Sequence, residues 1–247
     1  MSRLLVSIAS VLVVLGLWEM AGAAEWIDVR FFPRPTEILR QCYEHLVYGE
    51  LLYDLRVSLW RVTMGSVIAI PLALLAALAI ELNWVVSAAA RPWVSFLYPL
   101  PKLAVFPLFL VLMGLGEPPK VALVALGVFF LVLLSSGQGV RRILQSEYYD
   151  VALVYRVPLW KRTLHVLLRG AMPEIVNGIK LGLSYALVMV IAAEFTATQR
   201  GIGAFVWNAW DGFRILDLYS GLLLIGMVGW VIFWLASLAE RLFSHYD

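Results

Sequence analysis

Six long apolar runs, at residues 4–24, 55–80, 92–114, 121–136, 173–195 and 216–238, limit the fold of this chain more than any other feature. Crossing the hydrocarbon core of a bilayer takes about 20 apolar residues in a helix. The predicted fold class is therefore all-α: a polytopic membrane protein with about six transmembrane helices, forming a single transmembrane domain over residues 1–247. Composition agrees, with 62% hydrophobic residues, 15% charged residues and a mean hydropathy of +0.86. The first run ends in Ala21-Gly22-Ala23-Ala24, which would also suit a cleaved signal peptide, but its length favours a span. Cys42 is the lone cysteine, so no intrachain disulfide or cysteine-based metal site is expected. His45, His165 and His245 are too far apart for a histidine metal motif.

The polar interruptions set the orientation. Residues 139–172 carry Arg141, Arg142, Arg156, Lys161, Arg162 and Arg169, and basic residues in short loops mark the cytoplasmic side. Residues 139–172 are thus predicted to be a cytoplasmic loop, residues 25–54 an external amphipathic segment, and both termini cytoplasmic. The loop has internal order. Asp150-Val151-Ala152 opens it, Val157-Pro158-Leu159-Trp160 follows, and Pro173 closes it. Leu159, Thr163, Val166 and Leu167 recur at helical spacing opposite Lys161, Arg162 and His165. That spacing predicts a short amphipathic helix with Pro158 near its first turn.

The third run is unusual, with prolines at 92, 99, 101 and 107. Pro99 and Pro101 remove amide donors and disfavour helix at the residues before them, so the span is predicted to break near its middle. Non-helical backbone at membrane depth survives only where protein buries it or where it lines a wet cavity. Tyr98, Pro99, Pro101, Lys102 and Pro107 are therefore candidates for lining a translocation pathway. The alternative is a kinked helix whose Lys102 reaches an interface.

Elsewhere, Ser66, Ala69, Ala73, Ala76 and Ala77 give the second run a small-residue packing face, and Pro71 is expected to kink it. Within residues 25–54 an amphipathic helix is predicted from about Thr36 through Val47. Glu194 closes the fifth run, where it would contact cargo or a gate, or else accept hydrogen bonds from nearby backbone. Residues 196–214 read as a loop in which Phe205, Trp207, Trp210 and Phe213 form an interfacial aromatic belt. No phosphate-binding loop is present in the sequence. The four lysines, at 102, 120, 161 and 180, are followed by Leu, Val, Arg and Leu rather than Ser or Thr.

Several of these pieces together resemble the permease subunits of bacterial ABC importers. Their coupling loop reads E-A-A-x-x-x-G, nine residues, then I-x-L-P. On this chain the E-A-A falls on Asp150-Val151-Ala152, the glycine on Arg156, the I-x-L on Val166-Leu167-Leu168 and the proline on Arg169. Pro158 and Gly170 are expected to supply the turn and helix end that the missing glycine and proline would give. The order P-x-P-x-x-A-x-x-P-L from Pro99, a G-x-G-E turn from Gly114, G-x-F-F from Gly127 and G-V-R from Gly139 is similar to the sulfonate, taurine and nitrate branch. The resemblance spans residues 32–231.

The resemblance implies half of a translocation pathway for a small solute, an organic or inorganic anion or a vitamin precursor, in the bacterial cytoplasmic (inner) membrane. It implies no catalytic residue and no cofactor in this chain, with ATP and Mg on a partner ATPase. Asp150, Ala152, Tyr155, Arg156, Val157, Leu159 and Trp160 would couple to that ATPase. Phe205, Trp207 and Trp210 would form an external gate or contact an external solute-binding protein, and Glu194 would join the pathway. A second permease subunit and membrane lipid complete the expected partners, with no nucleic acid. The alternative function is an ion-coupled secondary transporter, against which stands the placement of the acids near span ends.

Overall fold

The computed structural model describes residues 2–243, so His245 lies outside the described residues. Every regular element among them is helical. The first are α1 (Ser2–Ala23), α2 (Pro35–Val47), α3 (Leu51–Leu82), α4 (Trp84–Leu97), α5 (Phe106–Met113) and α6 (Pro118–Leu144). Then come α7 (Glu147–Val154), α8 (Leu159–Lys161), a π-helical stretch Arg162–Leu167, α9 (Leu168–Gly170), α10 (Met172–Ala197), α11 (Ile202–Asp211) and α12 (Ile215–Phe243).

Local chemistry explains where helices outrun the apolar runs. Asn83 Oδ1 accepts from the amides of Val85 (2.9 Å) and Val86 (3.2 Å). This N-cap starts α4 at Trp84, so Arg91 lies within a helix. α6 continues to Leu144 and carries Arg141 and Arg142 in its last turn, where cations meet the negative end of the helix dipole. The connection to α10 is correspondingly shorter than residues 139–172. The expected loop 196–214 is largely a helix, α11, because its aromatic residues alternate with Ala204, Val206 and Ala209 at a spacing that buries one side.

Among the described residues five helices are long and apolar enough to cross a membrane, and α4 with the segment Lys102–Met113 that includes α5 forms a pair bent by 97°. The pairing of α3 with α6 shows that the bent pair also crosses. Arg61 of α3 bonds Glu117 beside the start of α6 at 2.6 and 2.8 Å. Glu81, near the end of α3, takes two bonds from Arg141 in the last turn of α6, at 2.9 and 3.1 Å. The two helices are parallel, so the chain between them must return across the same thickness. Six spans result. α10 starts where α6 ends, with Glu174 on Arg142 (3.0 Å), and runs back along it. A Cβ on Gly178 would stand 2.7 Å from Ser135, and one on Gly127 2.9 Å from Met189, so these glycines set how closely α6 and α10 approach.

The chain folds as two compact units, residues 1–58 with 194–228, and residues 59–193 with 229–247. In the first, Thr36 donates its amide and hydroxyl to Glu19 (3.1 and 2.9 Å), fastening α2 to the end of α1. α2 spans the predicted amphipathic helix and buries Ile38 and Cys42. In the second, Val140, Ala171 and Ile175 form a buried cluster with Leu74, Leu78 and Leu168 against it. That cluster seats the α6–α10 connection on the spans.

Candidate functional site

The broken third span is real, and its geometry depends on one side chain. α4 ends at Leu97, residues 98–101 are irregular, and Lys102–Val105 is a single 3-10 turn before α5. Pro107 stands in the first turn of α5, where a missing amide costs nothing, so it starts a helix rather than breaking one. Lys102 is buried and does not reach an interface. Its ammonium donates to the carbonyls of Leu97 (3.1 Å), Tyr98 and Leu100 (3.0 Å). It also lies 4.8 Å from the centre of the Phe130 ring and 5.4 Å from that of Tyr98. Pro101 has no amide to give Leu97 O, which accepts Leu100 N at 3.3 Å as well as the ammonium, so Lys102 helps cap the end of α4 from within. Tyr98, Pro99, Pro101 and Lys102 line a cavity of about 340 Å³ together with Phe130 and Tyr185. Neither Pro107 nor Glu194 is among its lining residues.

At the other candidate surface, α7, α8 and α9 make the connection between α6 and α10. The sequence placed the turn on Pro158, but Arg156 makes it. Arg156 has φ of +51°. Its amide bonds Leu153 O at 2.9 Å, and the next amide, Val157 N, bonds Ala152 O at 3.0 Å. This left-handed closure of a helix is the geometry that glycine normally supplies. The position where the family motif has glycine therefore keeps the glycine conformation with an arginine in it. Pro158 instead caps the start of α8. Gly170 does end a helix, by close packing: a Cβ there would lie 2.7 Å from Ile143. Arg142 also donates to Gly170 O at 3.0 Å, tying this end to α6.

Of the expected coupling residues, Asp150, Tyr155, Arg156, Leu159 and Trp160 are exposed, Val157 is half-buried and Ala152 is buried. Ala152 packs the connection rather than presenting itself. Tyr148, Val151 and Val154 add to the exposed set. They lie on α7, and Tyr155 follows at its C-cap, at spacings of three and four that the sequence itself carries. Tyr155 is 79% exposed and Trp160 62%, a high exposure for aromatic residues on a connection otherwise held by a packed base. The π-helical stretch follows directly, with the Arg162 guanidinium 5.1 Å from the Tyr149 ring centre.

In the first unit, Glu194 hydrogen-bonds to nearby backbone. It is almost wholly buried and accepts from Ser58 Oγ (2.7 Å) and Gly203 N (2.8 Å). Gly201 N donates to Asp54 (2.9 Å) and Ile202 N to Ser58 Oγ (2.9 Å). Three consecutive amides at the start of α11 thus end on side chains of α3 and α10, two of them carboxylates placed at the positive end of the helix dipole. Gly201, at φ of +121°, leaves no room for a side chain beside Glu194. α11 then presents Trp207 and Trp210 on its exposed side, while Phe205 packs edge-on against His45 at 5.2 Å. Between spans, Arg61 and then Lys120 hold the Glu117 carboxyl down to about 2 against the opposing effect of burial.

Six spans, one of them opened at a proline pair and capped by a buried lysine, together with an anchored aromatic connection, define a membrane transport permease. The chain belongs to the family of binding-protein-dependent transport system inner membrane components, which residues 69–245 match. It is 27% identical to the putative aliphatic sulfonates transport permease protein SsuC of Bacillus subtilis, over 93% of this chain and 83% of that one. It is 26% identical to the taurine transport system permease protein TauC of Escherichia coli, over 92% and 84%. It is also 29% identical to the bicarbonate transport system permease protein CmpB of Synechococcus elongatus, over 72% and 64%. The chain is accordingly an importer permease subunit, a multi-pass membrane protein and not an enzyme.

Proposed function

We propose that this subunit forms half of an ATP-driven import pathway for a small anionic solute, and that a separate ATPase grips residues 147–160. The observation that carries the coupling is the exposed set Tyr148, Val151, Val154, Tyr155, Leu159 and Trp160 on a connection anchored through Arg142, Gly170 and Glu174. Apolar anchors on a rigid mount suit insertion into a groove of a partner. ATP and Mg belong on that partner, and a second permease subunit related by a two-fold axis supplies the other half of the pathway. The anion reading is supported by the names of the relatives, which specify aliphatic sulfonates, taurine and bicarbonate. An external binding protein delivers the solute to the side bearing α11, and both termini lie in the cytoplasm. The Lys102 break is the candidate pathway element.

The test is an affinity pull-down of the intact chain from its native membrane in mild detergent. An ATPase in two copies and a second permease subunit are expected with it. Trp160→Ala and Asp150→Lys are expected to lose the ATPase while keeping the wild-type elution profile. Normal ATPase recovery with both variants would overturn the coupling assignment.

A further inference from the structure

The second unit holds another feature that neither the coupling surface nor the broken span uses. At the end where α3 and α6 finish, a cavity of about 290 Å³ is bounded by α3, α4 and α6. Ile80, Val94 and Leu133 make its walls apolar, and Glu81, Arg91 and Arg141 line it too. Glu81 is 6% exposed at its side chain, whereas Arg91 and Arg141 are 50% and 47% exposed. Arg141 gives Glu81 its Nε and one Nη, at 3.1 and 2.9 Å, and Arg91 gives one Nη at 3.2 Å.

One carboxylate shared by two guanidiniums leaves a positive charge in excess. Each guanidinium carries five N–H donors, so the pair keeps donors beyond those that Glu81 takes. Satisfying Glu81 requires only Arg141, whose fork already bonds both carboxylate oxygens. The second arginine is held beside the first at an electrostatic cost that an anion in the cavity would offset. Ser95 and Gln138 supply further polar atoms in the lining. Guanidinium pairs suit tetrahedral oxyanions because two parallel N–H groups match two oxygens. Basic pockets between transmembrane helices also take anionic headgroups.

We propose that this cavity binds an amphiphilic oxyanion, with a sulfonate or phosphate head on Arg91 and Arg141 and an alkyl portion against Ile80, Val94 and Leu133. The head comes either from a lipid phosphodiester of the surrounding bilayer or from a free alkyl oxyanion in solution. The proposal rests on the arginine pair and the cavity and needs no ATPase, so it stands or falls separately from the coupling assignment.

The full-length chain is placed in phosphatidylcholine nanodiscs. One arm titrates butanesulfonate by calorimetry, and a second adds phosphatidylglycerol to the discs and counts retained lipid by native mass spectrometry. Saturable binding is expected in one arm, which identifies the source. Arg91→Gln is expected to weaken it about tenfold, since a charge-assisted contact is lost. Glu81 keeps Arg141 in that variant, so folding is preserved. Glu81→Gln, which removes the competing carboxylate, is expected to bind at least as tightly as wild type. Failure of the wild-type protein to bind either probe, or unchanged binding in Arg91→Gln, overturns the proposal.

Discussion

Lys102 couples chemistry to architecture within one side chain. An ammonium has three N–H donors, and here they go to three carbonyls of the break that the prolines create. Away from water, each unmet carbonyl costs on the order of 1–3 kcal/mol. Lys102→Met keeps the length and apolar stem but removes every donor. It is expected to lower stability by about 3 kcal/mol, read as a fall in thermal unfolding temperature in detergent. Lys102→Arg, which retains donors, is expected to recover part of the loss. Unchanged melting in Lys102→Met would mean that the break is satisfied by something other than this ammonium. Glu194 follows a related logic at the start of α11, where Ser58 and Gly203 donate to its buried carboxyl group.

Among the elements, α7 is the one that a single residue places. Its C-terminal closure positions Leu159 and Trp160 relative to Tyr148 and Tyr155, and Arg156 holds a backbone conformation that costs a non-glycine residue about 1 kcal/mol. Arg156→Gly is therefore expected to raise stability by up to about 0.5 kcal/mol, after allowing for the greater freedom glycine gives the unfolded chain. Equilibrium denaturation checks the sign. If ATPase affinity falls while stability rises, the arginine side chain itself contacts the partner. α11 is an element of a different kind. It is too short to be stable alone and is held by Asp54, Ser58 and Glu194 at its amides, so its exposed tryptophans are carried on a clamped base.

The whole molecule is defined by how often it crosses. Because α3 and α6 are parallel, the bent pair crosses once, and α10, the next helix after the connection bearing Trp160, is again long and apolar enough to cross. Cys42 is buried, which gives a low background for thiol labelling. In intact cells, Trp210→Cys is expected to react with an impermeant maleimide, and Tyr148→Cys only after permeabilisation. Labelling of both from one side would remove α10 as a span and with it the six-span arrangement.

The sequence alone determined the fold class, the six crossings, the break at Pro99 and Pro101, the amphipathic helix α2 and the family, because apolar length and proline placement act locally and leave little freedom. It also placed the connection bearing Trp160 and named most of its exposed residues. Only the tertiary structure decided what the polar side chains do. Lys102 turned inward, Glu194 became a helix clamp, Arg156 took the glycine conformation, and Glu81 gathered two arginines from different helices. Each of those outcomes depends on partners 2 to 136 residues away along the chain. A buried polar group goes wherever the folded chain offers a hydrogen bond, and that choice is made by packing rather than by pattern.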